Sequence, residues 1–440
     1  MRAPAPRIPA ALAAVALAAA LPAAAHDRLP GEDQTAPVLL QGGDLYTVSG
    51  GVLRATDLLF EDGKITAIGK GLEPPAGGEV VDVSGRRVYP GLIAPGTSLG
   101  LVEIGAVRAT RDLDEVGTMN PEVAAHAAFN PDSELIPTVR SHGVTTVQVA
   151  PGGELVRGRS SILHLDGWTK EDAAVVLIDG LFVTWPRVAV LDWWFMPPVE
   201  EQRKQMAEQR REIREAFETA RAYHEAREAG AEIEIDLRWE ALRAVWSEGL
   251  PVYVAAPDYR QILEAVDFAD EHELSLVLVG PADGYRLTEL LVEREIPVLL
   301  DATTNLPYRD DADYDAQFRQ AARLHEAGVR FGIGLLDANW SARNLALEGA
   351  GAAIAWGLPA DAALRAITLS NAEILGIADR EGSLEVGKDA TLFVSRGDVT
   401  DTLGHDVTHM WIQGRPVDLD NRHRELYRKY GEKIRRMAGE

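Results

Sequence analysis

Between Val88 and Leu336 short apolar runs alternate with helix-favouring stretches, and this alternation limits what the chain can fold into more than any single motif does. Strand-like runs fall at 88–94, 143–150, 161–166, 174–184, 251–256, 274–280, 296–302 and 330–336. Repeated strand-then-helix units build a parallel sheet, because each crossover returns the chain to the same edge in the same direction. Eight such units close on themselves, so the predicted fold class is α/β with a TIM-like (β/α)8 barrel. A chain of 440 residues with 46% hydrophobic residues can bury the large core this needs.

The two ends of the chain have a different pattern. From Ala36 to Val88 the runs are short and bounded by turns, with Asp62-Gly63 between apolar segments as a hairpin signal. A similar β-rich stretch returns from Gly382 to Val394 and from Val407 to Val417. Each set alone offers too few strands to bury both faces. The expectation is therefore a small composite β-sandwich domain from 37–88 plus 380–418, a barrel over 89–379, and a C-terminal helix over 419–440. The charged stretch from Val199 to Gly230 is either a solvated helix or an arm that binds a partner.

At the N-terminus, Arg2 and Arg7 precede an Ala/Leu-rich run from Ala10 to Leu21 and then Ala23, Ala24 and Ala25. A basic region, a short apolar region and a small-residue site describe a secretory signal peptide over 1–25, with cleavage after Ala25. The run is too short and too rich in Ala and Pro for a stable membrane span, so the expected location is periplasmic or secreted. Cleavage would take the formal charge from −24 to about −26. Such a chain has no basic footprint for nucleic acid. It also has no cysteine, which excludes disulfides, thiolate metal ligands and a cysteine nucleophile.

The phrase Val88-Tyr89-Pro90-Gly91-Leu92-Ile93 after a small β-rich region resembles the amidohydrolase superfamily, especially its imidazolonepropionase-like exported members. Three further blocks agree: Gly143 to Val147, Ala366 to Gly376, and Gly382 to Ala390. The resemblance implies hydrolysis of non-peptide or cyclic C–N bonds by one or two divalent metals at the barrel mouth. In active relatives a His-x-His pair ends the first strand, single histidines end the fifth and sixth, and an aspartate ends the eighth. Zinc held this way lowers the pKa of bound water to about 7.

This chain departs from that pattern at every position. After the first strand it has Ala94-Pro95-Gly96-Thr97-Ser98, the fifth strand carries Ala255, and the sixth ends at Gly280. The eighth reads Gly334-Leu335-Leu336-Asp337, so its aspartate is either displaced by one residue or replaced by Leu336. The fourth strand and its exit, Ala174 to Arg187, contain no lysine to bridge two metals. No metal or other cofactor is therefore predicted, although active relatives use a divalent ion such as zinc. Of the ten histidines, His164 near Asp166 is the best remaining candidate, with a packed or hydrogen-bonded role as the alternative, and His142 lies at the end of the barrel opposite the mouth.

Loops after the strands supply what is left. Asp301 and Asn305 follow the seventh strand, and Asp337 and Arg343 follow the eighth. They either bind a polar ligand or cap turns and helices. Asp337 and Asp301 are the candidate general bases. Arg157 and Arg159, in a Gly-rich segment from Pro151 to Ser160, are candidates for clamping a carboxylate or phosphate. Aromatic residues crowd Trp185 to Met196, either packing a loop over the barrel or docking another subunit. Three functions stay open: a degenerate member serving as a binding or partner subunit, beside an intact paralogue or a second copy of itself; a hydrolase using a non-standard site; and a periplasmic solute-binding module for a small molecule.

Overall fold

The computed structural model describes residues 29–191 and 193–439; the predicted leader and its cleavage site lie outside the described residues. Sixteen strands are described. The first five are β1 (Val38–Tyr46), β2 (Val52–Glu61), β3 (Lys64–Gly69), β4 (Glu79–Asp82) and β5 (Arg87–Pro90). The barrel strands are β6 (Leu92–Thr97), β7 (Val144–Val149), β8 (Val156–His164), β9 (Ala174–Thr184), β10 (Val252–Ala255), β11 (Leu276–Val279), β12 (Val298–Leu300) and β13 (Phe331–Ile333). They are followed by β14 (Leu392–Ser395), β15 (Val407–Ile412) and β16 (Arg415–Pro416).

The first five and last three strands form one hydrogen-bonded sheet, joined where β5 pairs antiparallel with β14 (Tyr89 opposite Phe393). Leu40, Phe60, Val88, Leu392 and Trp411 share its core, so neither end of the chain can bury its apolar face without the other. The hairpin of β2 and β3 turns at Asp62 (φ 49°) and Gly63 (φ 74°). Two left-handed residues in a two-residue loop are what an Asp-Gly turn provides.

The barrel sheet runs in chain order from β6 to β13. Its direction corrects one expectation: β8 is antiparallel to both β7 and β9, while the other neighbours are parallel. The connections on either side of β8 explain this. Residues 150–155 and 165–173 contain no full crossover helix, and short connections join antiparallel strands. The third strand also starts earlier than its apolar run suggests. Val156, Gly158 and Ser160 are buried while Arg157 and Arg159 are half-buried, an alternation hidden in the sequence by the glycine and the arginines.

No ladder joins β6 to β13, the two ends of the sheet path. The gap is bridged by Asn371 on a short helix (Leu369–Ile374), whose Nδ2 donates to the carbonyls of Ile93 (2.8 Å) and Ile333 (2.9 Å). Gly332 makes room for it, since a Cβ there would lie 1.8 Å from Asn371 Oδ1. One buried amide thus stands in for the missing backbone pairing.

Helices cover the outside. The long charged helix α1 (Val199–Glu228) packs one face on the barrel through Ile213, Phe217 and Ala220. Phe217 meets Phe268 of α2 (Tyr259–His272) edge to face, with ring centroids 5.0 Å apart. Inside the barrel, Ile93, Phe182, Tyr253, Val277, Val279 and Leu299 form a separate apolar cluster. No helix among the described residues is long and apolar enough to cross a membrane.

Candidate functional site at the barrel mouth

The mouth is built by the ends of β6, β11, β12 and β13 and by the start of the reversed strand β8. Gly96 and Gly280 take left-handed backbone conformations, with φ of 64° and 58°. Leu336 lies between them. A Cβ built on Gly96 would sit 2.8 Å from Leu336 Cδ2, one on Gly280 would sit 3.3 Å from Cδ1, and one on Gly334 would sit 3.2 Å from Cδ2. The side chain therefore fills the space toward which the ends of the first, sixth and eighth barrel strands converge. A side chain at Gly96 would clash with Leu336 and one at Gly280 would crowd it, both at an unfavourable φ.

Asp301 holds this arrangement from below. Its Oδ1 accepts the Leu336 backbone N–H (3.0 Å) and its Oδ2 accepts Asn305 Nδ2 (2.8 Å). Both oxygens are thus engaged in loop bonds. Asp337, at φ 55°, turns its side chain outward to 69% exposure and pairs with Arg157 at 2.9 Å. Arg157 is otherwise nearly buried: its Nε donates to the Pro151 carbonyl (2.8 Å) and its guanidinium lies over the Phe182 ring at 5.7 Å. The structure brings Arg157 and Asp337 together, and Asp301 with Asn305.

It does not bring in the other two candidates. Arg159 donates to the Glu122 carbonyl (2.8 Å) on the outer side of β8, and burial lowers its proton affinity. Arg343 stacks over Trp340 at 4.1 Å and lies close enough to His142 to depress that imidazole, which places it toward the barrel base. His164 is also at the base, where its Nε2 pairs with buried Glu381, whose other oxygen accepts Thr146 Oγ1 at 2.7 Å. Of the crowded aromatics, Trp185 is buried with its indole N–H on Glu264 (2.9 Å), while Trp193 and Trp194 stay exposed.

One polar group in the lumen escaped sequence reasoning. Asp179 of β9 is fully enclosed; its Oδ2 accepts Gln148 Nε2 (2.7 Å) and Tyr253 Oη (3.1 Å), and its Oδ1 has no partner. Burial raises its carboxyl pKa above the usual range, with the hydrogen bonds from Gln148 and Tyr253 opposing it. Gln148 in turn accepts the Gly96 N–H (3.0 Å), so the network supports the floor of the mouth. An acid in the middle of the apolar run Val175 to Val183 was the signal that could have found it.

Beside Leu336 a cavity of about 530 Å³ opens between the β11 and β12 loops, lined by Gly280, Asp301, Asn305, Tyr308, Gln317 and Gln320. Gln317 and Gln320 each donate one amide N–H, to the Ala282 and Pro281 carbonyls, and these bonds fix both side chains in the cavity wall. The divalent ion implied by the resemblance does not fit the mouth. The positions of the four expected histidines carry Pro95, Thr97, Ala255 and Gly280, an isobutyl group fills the centre, and among the described residues no three His, Cys, Asp or Glu side chains converge.

A family model described as the amidohydrolase family matches residues 249–417. An amidohydrolase of Hapsidospora irregularis is 24% identical over 403 residues, covering 83% of this chain but 41% of that relative. A dihydroorotase of Geobacter metallireducens is 29% identical over 152 residues, 32% of this chain and 35% of that enzyme. The chain thus spans well under half the length of these curated relatives. The crystal structure of an amidohydrolase from Thermotoga maritima matches with a TM-score of 0.76 and 26% identity, over 87% of this chain and 99% of that one. With a barrel, a sheet drawn from both ends and these likenesses, the chain resembles the amidohydrolase superfamily in fold and, over residues 249–417, in sequence.

Proposed function

We propose that this chain is an exported, metal-free member of the superfamily that has exchanged catalysis for a binding or partner-subunit role. The observation that carries the proposal is Leu336, seated between Gly96 and Gly280 where a metal and its water would have to lie. A catalytic zinc needs three protein ligands and an open position. Here the one carboxylate at the end of the eighth strand, Asp337, points to solvent and is neutralised by Arg157.

Hydrolysis of cyclic or non-peptide C–N bonds, the chemistry of the dihydroorotase relative, would need an activated water from another source. Asp301 is the nearest candidate base, and both of its oxygens already accept hydrogen bonds. The cavity at Asp301, Asn305 and Tyr308 favours a second reading in which the mouth retains a small polar solute. The sequence of residues 1–25 supports export.

Native mass spectrometry of the protein purified from its own cells tests these roles. A stoichiometric second barrel chain supports the partner-subunit role, and a retained small molecule supports the solute-binding one. A bare monomer that hydrolyses dihydroorotate or a hydantoin would overturn both.

A further inference from the structure

We propose that α3 (Arg422–Ala438), the C-terminal helix, docks the protein on an anionic lipid surface. The helix starts firmly. Asn421 caps it by accepting the Arg424 N–H, and Asn421 Nδ2 donates to buried Ser141 Oγ at 2.9 Å, which ties the first turn to the barrel base. Beyond that anchor no residue of the helix is buried.

Its sequence is nevertheless two-faced. Tyr427, Tyr430, Ile434 and Met437 follow a spacing of three, four and three residues, and at 3.6 residues per turn they fall within roughly 100° of one another. All four are exposed, from 52% at Tyr430 to 81% at Tyr427. The rest of the circumference carries seven Lys or Arg side chains against Glu425 and Glu432. The helix therefore holds a net charge of +5 on a chain of −24. Such a segregation is not needed for solubility, since the rest of the molecule is strongly acidic.

The charge selects the occupant. A second copy of this helix would present the same excess of cations and repel it. An anionic bilayer offers both a negative surface for the lysines and arginines and an apolar layer for a narrow stripe that includes two tyrosines, residues suited to the water–lipid boundary. Attraction falls off within a Debye length of roughly 8 Å at physiological salt, so the acidic body is tolerated if the helix is the only part near the surface. The docking would be reversible, because one amphipathic helix is a weak anchor.

The test is cosedimentation of the full chain with vesicles of phosphatidylglycerol and phosphatidylcholine, compared with phosphatidylcholine alone. Binding is expected only with the anionic lipid and should fall steeply as salt is raised. Lys429→Glu and Lys433→Glu should each weaken it by roughly fivefold or more. Ile434→Asp with Met437→Asp should abolish it while leaving the melting temperature unchanged, since both side chains are exposed. Equal binding to neutral vesicles, or binding untouched by the Asp substitutions, would overturn the proposal. So would a dimer, or a complex with another protein, that forms through the same face without any lipid binding.

Discussion

At the base of the barrel, His164 of β8 is buried against Glu381, and Arg140 is buried against Asp166 at 2.9 Å. At the mouth, the central space belongs to Leu336, and the nearest ion pair, Arg157 with Asp337, has one partner 69% exposed. The end of the barrel that holds chemistry in active relatives has an aliphatic side chain at its centre and an ion pair half open to water. The end that serves stability carries the buried charges. A buried charge is tolerated when its partner is fixed and its remaining bonds are made, as for Asp166, which accepts from Arg140 and from the Gly31 N–H. Enclosed ion pairs thus lie at the base, while an aliphatic side chain packs the centre of the mouth.

Single removal of a base partner should therefore have the largest effect. Glu381→Leu or His164→Leu leaves an uncompensated group in the interior and should destabilise by about 3–5 kcal/mol in urea unfolding. The double change should recover much of that loss. Additive losses would show that the two groups do not act as a pair.

The base should also respond to acid. Burial pushes the His142 imidazole down to about 4, opposed by its bond to the Thr138 carbonyl and assisted by nearby His405, Arg343 and Arg424. An unfolded imidazole titrates near 6.5, so the native state binds this proton less readily than the unfolded one. Its contribution is whole above about pH 6.5 and is lost as pH falls toward 4, by up to about 3 kcal/mol. His126, His272 and His409 are shifted the same way. The measurement is accordingly the difference in unfolding free energy between the wild type and His142→Gln across that window. A flat difference would remove His142 from the account.

At the mouth the effects should be smaller and apolar. Leu336→Ala should cost about 2 kcal/mol, because its side chain is half-buried and the glycines around it cannot close the gap, whereas Leu336→Met should cost less than about 1 kcal/mol. Asp337→Ala should change stability by under about 1 kcal/mol, as expected for an ion pair whose carboxylate is open to water. A larger cost for the ion pair than for Leu336 would invert the comparison.

Much of the architecture was legible because it follows from local chemistry. The Asp62-Gly63 hairpin, the strand at Val144–Val149 and the dependence of the first strands on Leu392 and Trp411 all follow from turn residues and apolar periodicity. The reversal of β8 was hidden, because Gly158 and two arginines disguise a strand and only the short flanking connections betray its direction. The residues at the expected ligand positions could be read from the strand ends, but not which side chain fills the centre of the mouth. Whether Leu336 or Asp337 faces inward depends on a left-handed residue at Asp337, and no periodicity reports that. Asp179 stood out only as an acid within an apolar run, since its partners Gln148 and Tyr253 are distant in sequence and meet only inside the barrel.

Elemental analysis of the purified protein after exhaustive dialysis, followed by titration with zinc, decides whether Leu336 occupies the place of a metal at the mouth. The account predicts far less than one ion per chain and no rise in melting temperature on adding zinc, because a ligand that binds the native state would raise it. About one zinc per chain, lost together with hydrolytic activity when Asp337 is changed to Ala, would contradict it.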